Sequence, residues 1–196
     1  MITRQQGLNF LNTKLINKNI IKHMIATEAL MGGVFDVLKT EGKTDTELGG
    51  SKEEWQMAGL MHDGDYVENV PMDKQGVVIG QWLKESGFDV PDNVVHAMAA
   101  HNDSTGTESQ NLMDWTIRIG DSLTGLIVAS ALILPSKKLA DVTPEKVLKR
   151  FKEKSFARGS RREEIAMCEN KLGLPLSEFV AISLKAMQNA AGEIGL

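Results

Sequence analysis

The sequence predicts an all-α fold: one compact domain over residues 1–196, built from about eight helices. Three observations lead there. Apolar residues recur at helical spacing along most of the chain. Strand-like alternation of apolar and polar residues is nearly absent. Prolines are scarce, and Pro91, Pro135 and Pro144 stand where helices would begin or stop.

The elements follow in order. A first helix is expected over residues 4–16. Asn17 or Asn19 can cap a second that runs to about Lys39, with Ile20, Ile21, Met24, Leu30, Met31 and Val34 along it. The stretch "EGKTDTELGG" reads as a polar loop. Ser51 with Glu54 forms a capping box, and Trp55, Ala58, Leu60 and Met61 carry that helix up to His62 and Asp63. Residues 74–86 form the next, ended by Gly87, and Pro91 starts another, "PDNVVHAMAAHN". A long apolar helix is expected over 108–134, stopped by Pro135. Thr143 caps a helix with Pro144 at its first position; residues 161–172 make one more, closed by Gly173; Ser177 can cap the last.

A chain of 196 residues has room for a sizeable core. Its formal charge of −4 gives no overall attraction to nucleic acid or to anionic lipid. The most apolar window, "LTGLIVASALILP", is shorter than the roughly 20 residues a bilayer span needs, so no membrane partner is expected. The single cysteine, Cys168, forms no intrachain disulfide, and the N-terminus lacks the apolar run of a signal peptide; a cytoplasmic location is the expectation. Cys168 itself reads as an inert thiol, buried or half-buried.

The chemistry concentrates around "GLMHDGDY". His62 and Asp63 close one helix, His23 sits among apolar neighbours in another, and Asp121 interrupts a third that is otherwise apolar. A carboxylate there is costly without a partner. A shared divalent cation would be that partner, and two imidazoles with two carboxylates suit one ion of manganese, iron, cobalt, nickel or zinc. Taken singly, the residues have plainer readings: His23 a core histidine, His62 and Asp63 a polar helix end, and Asp121 a partner for Arg118 one turn back.

The order His…His-Asp…Asp resembles the HD-domain superfamily of metal-dependent phosphohydrolases. The blocks "KHMIATEALM", "WQMAGLMHDGDY", "AMAAHN", "GDSLTGLIVA", "LPSKKL" and "FARGSRREEI" resemble, in order, an uncharacterised bacterial and archaeal HD-hydrolase group. The resemblance implies His23, His62, Asp63 and Asp121 as ligands of one divalent ion. Two-metal members carry a further histidine soon after the pair, where this chain has Gln75 before Gly76. That departure counts against a full dinuclear site, and so against the dinuclear-iron oxygenases and the two-metal cyclic-nucleotide esterases of the superfamily.

The expected activity is hydrolysis of a small phosphorylated molecule, with a nucleoside monophosphate suggested by the resemblance alone. Asp65 or His101 would handle protons; His101 can alternatively bind phosphate. Arg118, Lys137, Arg158 and Arg161 are the candidate phosphate contacts, the last two because Gly159 and Ser160 break the helical pattern just before Arg161 and Arg162. His96 reads as a surface or structural residue, and Glu28 as supporting a hydrogen bond behind the ligands or a surface pair. The alternative from another class is a nucleotide or phosphate sensor that keeps the metal pocket with little turnover. Apolar helical faces make a homodimer an expectation without a located interface.

Overall fold

Twelve α-helices and three single turns of 3-10 helix account for the ordered elements in the computed structural model, which describes residues 1–196. Helix α1 spans Arg4–Lys14 and α2 Lys18–Thr40; Asn17 caps α2 through its side chain, as the sequence suggests. Helix α3, Asp45–Leu48, lies inside the segment expected as a loop. Its cause is a second capping box, in which Thr44 and Glu47 satisfy each other's backbone N–H groups. Helix α4, Lys52–Met61, starts from the Ser51–Glu54 box and delivers His62 at its C-terminal cap.

Residues 72–74 form a single turn, so α5 is shorter than expected, Val78–Glu85. Helix α6 spans Asp92–Ala100 after Pro91 and delivers His101. Helix α7, Leu112–Leu132, is capped by Asn111, and α8, Pro144–Lys152, by Thr143. The expected helix over 161–172 is two pieces, α9 (Arg162–Ala166) and α10 (Cys168–Lys171). The last long helix, α11 (Leu176–Asn189), begins at Pro175 rather than at a Ser177 cap, and α12, Ala191–Ile194, follows it.

Helix α2 runs through the centre and packs most extensively on α4, then on α11 and α7. One contiguous apolar core reaches from Ile2 to Ile194, so no seam divides the chain. The α2–α4 contact depends on Gly59, where a Cβ would stand 2.9 Å from the backbone nitrogen of Glu28. Close approach of these two helices sets His23 of α2 beside His62 of α4. Glu28 is neither a metal neighbour nor a surface pair: it is buried, and Arg4 grips it at 2.6 and 2.9 Å while also reaching Glu193. That cluster ties α1 and α12 to the central helix. No helix is long and apolar enough to cross a membrane.

Candidate metal centre

The four side chains singled out by the sequence meet. His23, His62, Asp63 and Asp121 each offer a ligand atom, and all four atoms lie within 4.8 Å of one another. His23 Nε2 is 2.7 Å from Asp121 Oδ1 and 3.6 Å from Asp63 Oδ2. His62 Nε2 is 3.5 Å from an oxygen of each carboxylate. His101 joins from α6, with Nε2 3.4 Å from Asp63 Oδ1.

Which nitrogen of each imidazole faces inward is decided by what holds the other. His62 Nδ1 lies 2.9 Å from the carbonyl oxygen of Gly59, and His101 Nδ1 2.5 Å from that of Met98. A carbonyl only accepts, so both Nδ1 atoms carry the hydrogen. Thr124 Oγ1 is 2.7 Å from the carbonyl oxygen of Asp121 and spends its single hydrogen there. It therefore accepts from His23 Nδ1, 3.2 Å away. All three rings thus turn Nε2 toward the same space. His62 Nε2 is buried and has no hydrogen-bond partner in the protein. An orphaned imidazole nitrogen facing two carboxylates fits a divalent ion, and the mixed nitrogen and oxygen donors suit a borderline transition metal.

The electrostatics agree with a site built for positive charge. Burial lowers the pKa of His23, but its hydrogen bond to Asp121 and the charges of Asp121 and Asp63 outweigh this and push it to about 9. Burial raises the Asp63 carboxyl, yet His62, His101 and His23 together hold it at about 2. Asp121 likewise stays well below the usual carboxylate range against its burial, through His23 and His62. Burial disfavours charge on His101 too, and the bond and charge of Asp63 reverse the direction to a raised pKa.

All of the cluster but the fully buried His62 opens onto a cavity of about 650 Å³. His23, Asp63, His101 and Asp121 line the floor, and residues 157–161 line one wall. Tyr66, Met72, Gln75, Asn102, Ser122 and Gly125 complete the lining. Arg158 and Arg161 are thus among the cavity-lining residues. Arg161 Nη2 comes within 3.7 Å of Asp121 Oδ2, while its Nε pairs with Glu164 at 2.7 Å. Ser122 Oγ is 3.3 Å from the same Glu164 carboxylate.

Three expectations need correction. Asp65 does not face the cavity: its carboxylate is fully buried and accepts from Gly76 N–H at 2.9 Å and Ile79 N–H at 2.8 Å. Burial raises its pKa against those two amides. It holds the turn before α5 through the Gly76 and Ile79 amides. Arg118 does not line the cavity and is not the partner of Asp121; it pairs with Asp103 in the turn after α6 and lies over the Trp115 ring. Lys137 is exposed in the loop beyond α7, outside the cavity lining. From Asp121 the helix carries the chain about 16 Å onward before the loop that holds Lys137 begins.

His96 is structural, 3.1 Å from buried Asp114. Tyr66, Gln75, Asn102 and Ser122 line the cavity without having been singled out as site residues. No family model, no curated protein and no solved structure matches the chain.

Proposed function

We propose that this protein is a metal-dependent phosphohydrolase of the HD type, acting on a small phosphorylated molecule. The observation that carries the reading is the convergence of two imidazoles and two carboxylates on the floor of a cavity, with the buried His62 nitrogen behind them and Arg158 and Arg161 on its wall. His23, His62, Asp63 and Asp121 would hold one divalent ion. Such an ion supplies Lewis acidity and makes water nucleophilic near neutral pH.

Hydrolysis of a phosphate monoester forms a P–O bond to the water oxygen and breaks the P–O bond to the leaving alcohol. The alcohol oxygen must gain a proton, and the water must lose one. His101 faces the cavity with Nε2 and is held in orientation by Met98, so it is the group placed to give a proton to the leaving oxygen. Arg161 and Arg158 would offset charge on the phosphoryl oxygens and keep the group oriented. Tyr66 and Met72, both well exposed at the cavity, give the remainder of the substrate an apolar rim to rest on.

A phosphate-ester panel tests the reading, run on protein loaded separately with manganese, cobalt, nickel, iron and zinc. One ion per chain and turnover of an aryl phosphate are expected. His62→Ala and Asp121→Ala should bind the ion at least about tenfold more weakly and lose turnover. One ion bound with no ester turned over would overturn the hydrolase and leave a sensor. Two irons with oxygen consumption would point to an oxygenase.

A further inference from the structure

Two adjacent arginines at the start of α9 face opposite ways. Arg161 turns out to the cavity, toward Asp121 and Glu164. Arg162 turns back into the loop that joins α8 to α9 and meets no carboxylate there. Its guanidinium donates only to peptide carbonyls: Ala157 at 2.7 Å and Ser160 at 2.8 Å from Nη1, Phe151 at 3.4 Å from Nε, Glu153 at 3.4 Å from Nη2, and Phe156 also from Nη2. One planar fork thus gathers carbonyl groups spread over residues 151–160. Lysine has no comparable planar set of donors.

The loop needs such a fastening. Residues 153–161 form no helix, and Ala157 has φ of 44°, the left-handed region that a residue with a Cβ disfavours. The carbonyl of that same residue takes one of the shortest bonds from Arg162. Phe156 helps from the other side, half-buried against the core beneath the Arg150 guanidinium. The segment held this way is the cavity wall that presents Arg158 and Arg161.

We infer that Arg162 is a positioning residue that fixes the 157–161 wall as a preformed seat for a phosphoryl dianion, with Arg161 and Arg158 as the groups that touch it. The inference rests on reading the cavity as a phosphate-ester site. It assigns opposite jobs to neighbours of identical chemistry, so their substitutions separate.

The test uses the full chain in three variants, Arg162→Ala, Arg162→Lys and Arg161→Gln. Amide hydrogen exchange reports the loop, calorimetry with inorganic phosphate on the manganese-loaded protein reports the seat, and a manganese titration reports the floor. In Arg162→Ala, exchange across 153–161 should rise about tenfold or more while α2 and α7 keep their protection. Phosphate should bind about tenfold more weakly, and manganese within about twofold of the unaltered protein. Millimolar guanidinium should restore both loop protection and phosphate affinity. Arg162→Lys should resemble the alanine variant and stands in for it if the latter does not fold. Arg161→Gln should lose phosphate affinity with the loop still protected. Where esters are turned over, Arg162→Ala should lower kcat/KM with manganese affinity held, and millimolar guanidinium should restore it.

Unchanged loop exchange in both Arg162 variants, loss of protection throughout the chain, or unaltered phosphate affinity would overturn the inference. Failure of the unaltered protein to bind phosphate would also overturn it. Phosphate binding that depends on Arg162, in a protein that hydrolyses no ester, would sink the hydrolase reading and leave this one standing.

Discussion

Replacing Asp65 distinguishes a structural carboxylate from a chemical one, because two substitutions have opposite consequences under the two roles. Both carboxylate oxygens lie 2.9 Å from Gly76 N, and Oδ2 also takes Ile79 N–H at 2.8 Å. Asp65→Ala strands both buried N–H groups at roughly 1–3 kcal/mol each, so the loss should total about 2–6 kcal/mol. Against an ordinary stability of about 5–15 kcal/mol, that is a large fraction. Asp65→Asn differs in kind. Its amide oxygen can occupy the place of Oδ2 and accept from both N–H groups, while its NH₂ group meets Gly76 N–H as donor against donor. The expected cost is about 1 kcal/mol. Denaturant unfolding monitored by tryptophan fluorescence measures both variants, and an aryl phosphate assay on manganese-loaded protein measures turnover. The asparagine variant should keep most of its activity. A normally stable Asp65→Asn protein with turnover down a hundredfold would show that the carboxylate serves the reaction, and the buried-anchor account would be wrong.

Gly76→Ala should be destabilising and should disturb the site from outside it. The residue has φ of +89°, and an added Cβ would collide with the Met98 carbonyl oxygen and lie 2.9 Å from the His101 ring. Strain and crowding together should cost roughly 3 kcal/mol, read by denaturant unfolding, with turnover falling more than manganese affinity. Cys168 is wholly buried, and burial, with the nearby charge of Glu169, pushes its thiol up to about 11. A disulfide reagent at pH 8 should label it only at the rate of unfolding. The folded chain holds that proton more tightly than the unfolded one, so this group's contribution to stability is intact below about pH 9 and declines toward pH 11. Rapid labelling of the native protein at pH 8 would contradict the burial.

Much of the centre was legible because local sequence signals coincide there with helix ends. Asn17 and the Ser51–Glu54 box mark where α2 and α4 begin, and the apolar run of α7 makes Asp121 conspicuous. The short α3 was equally legible in principle, since Thr44 and Glu47 repeat the capping-box spacing. Direction was harder. Asp65 follows the His-Asp pair by two residues, yet the turn at Gly76 draws it inward by offering two unpaired amides. Arg118 has the right spacing to meet Asp121 on one helix face, but Asp103 in a separate turn claims it. Arg161 and Arg162 are indistinguishable as letters, and only the path of the 153–160 loop separates them. Such outcomes depend on contacts between segments distant along the chain, which spacing alone does not encode.

Gly59, Met98 and Thr124 each moor one imidazole by its remote nitrogen, and the mooring points belong to three different helices. These bonds restrain the three rings from pivoting, should an ion bind. Capture would demand little rearrangement, and replacing one transition metal by another should leave the frame unmoved. Preference among ions would then reflect how well each accepts a bite already set by the polypeptide, rather than any accommodation of the polypeptide to ionic radius.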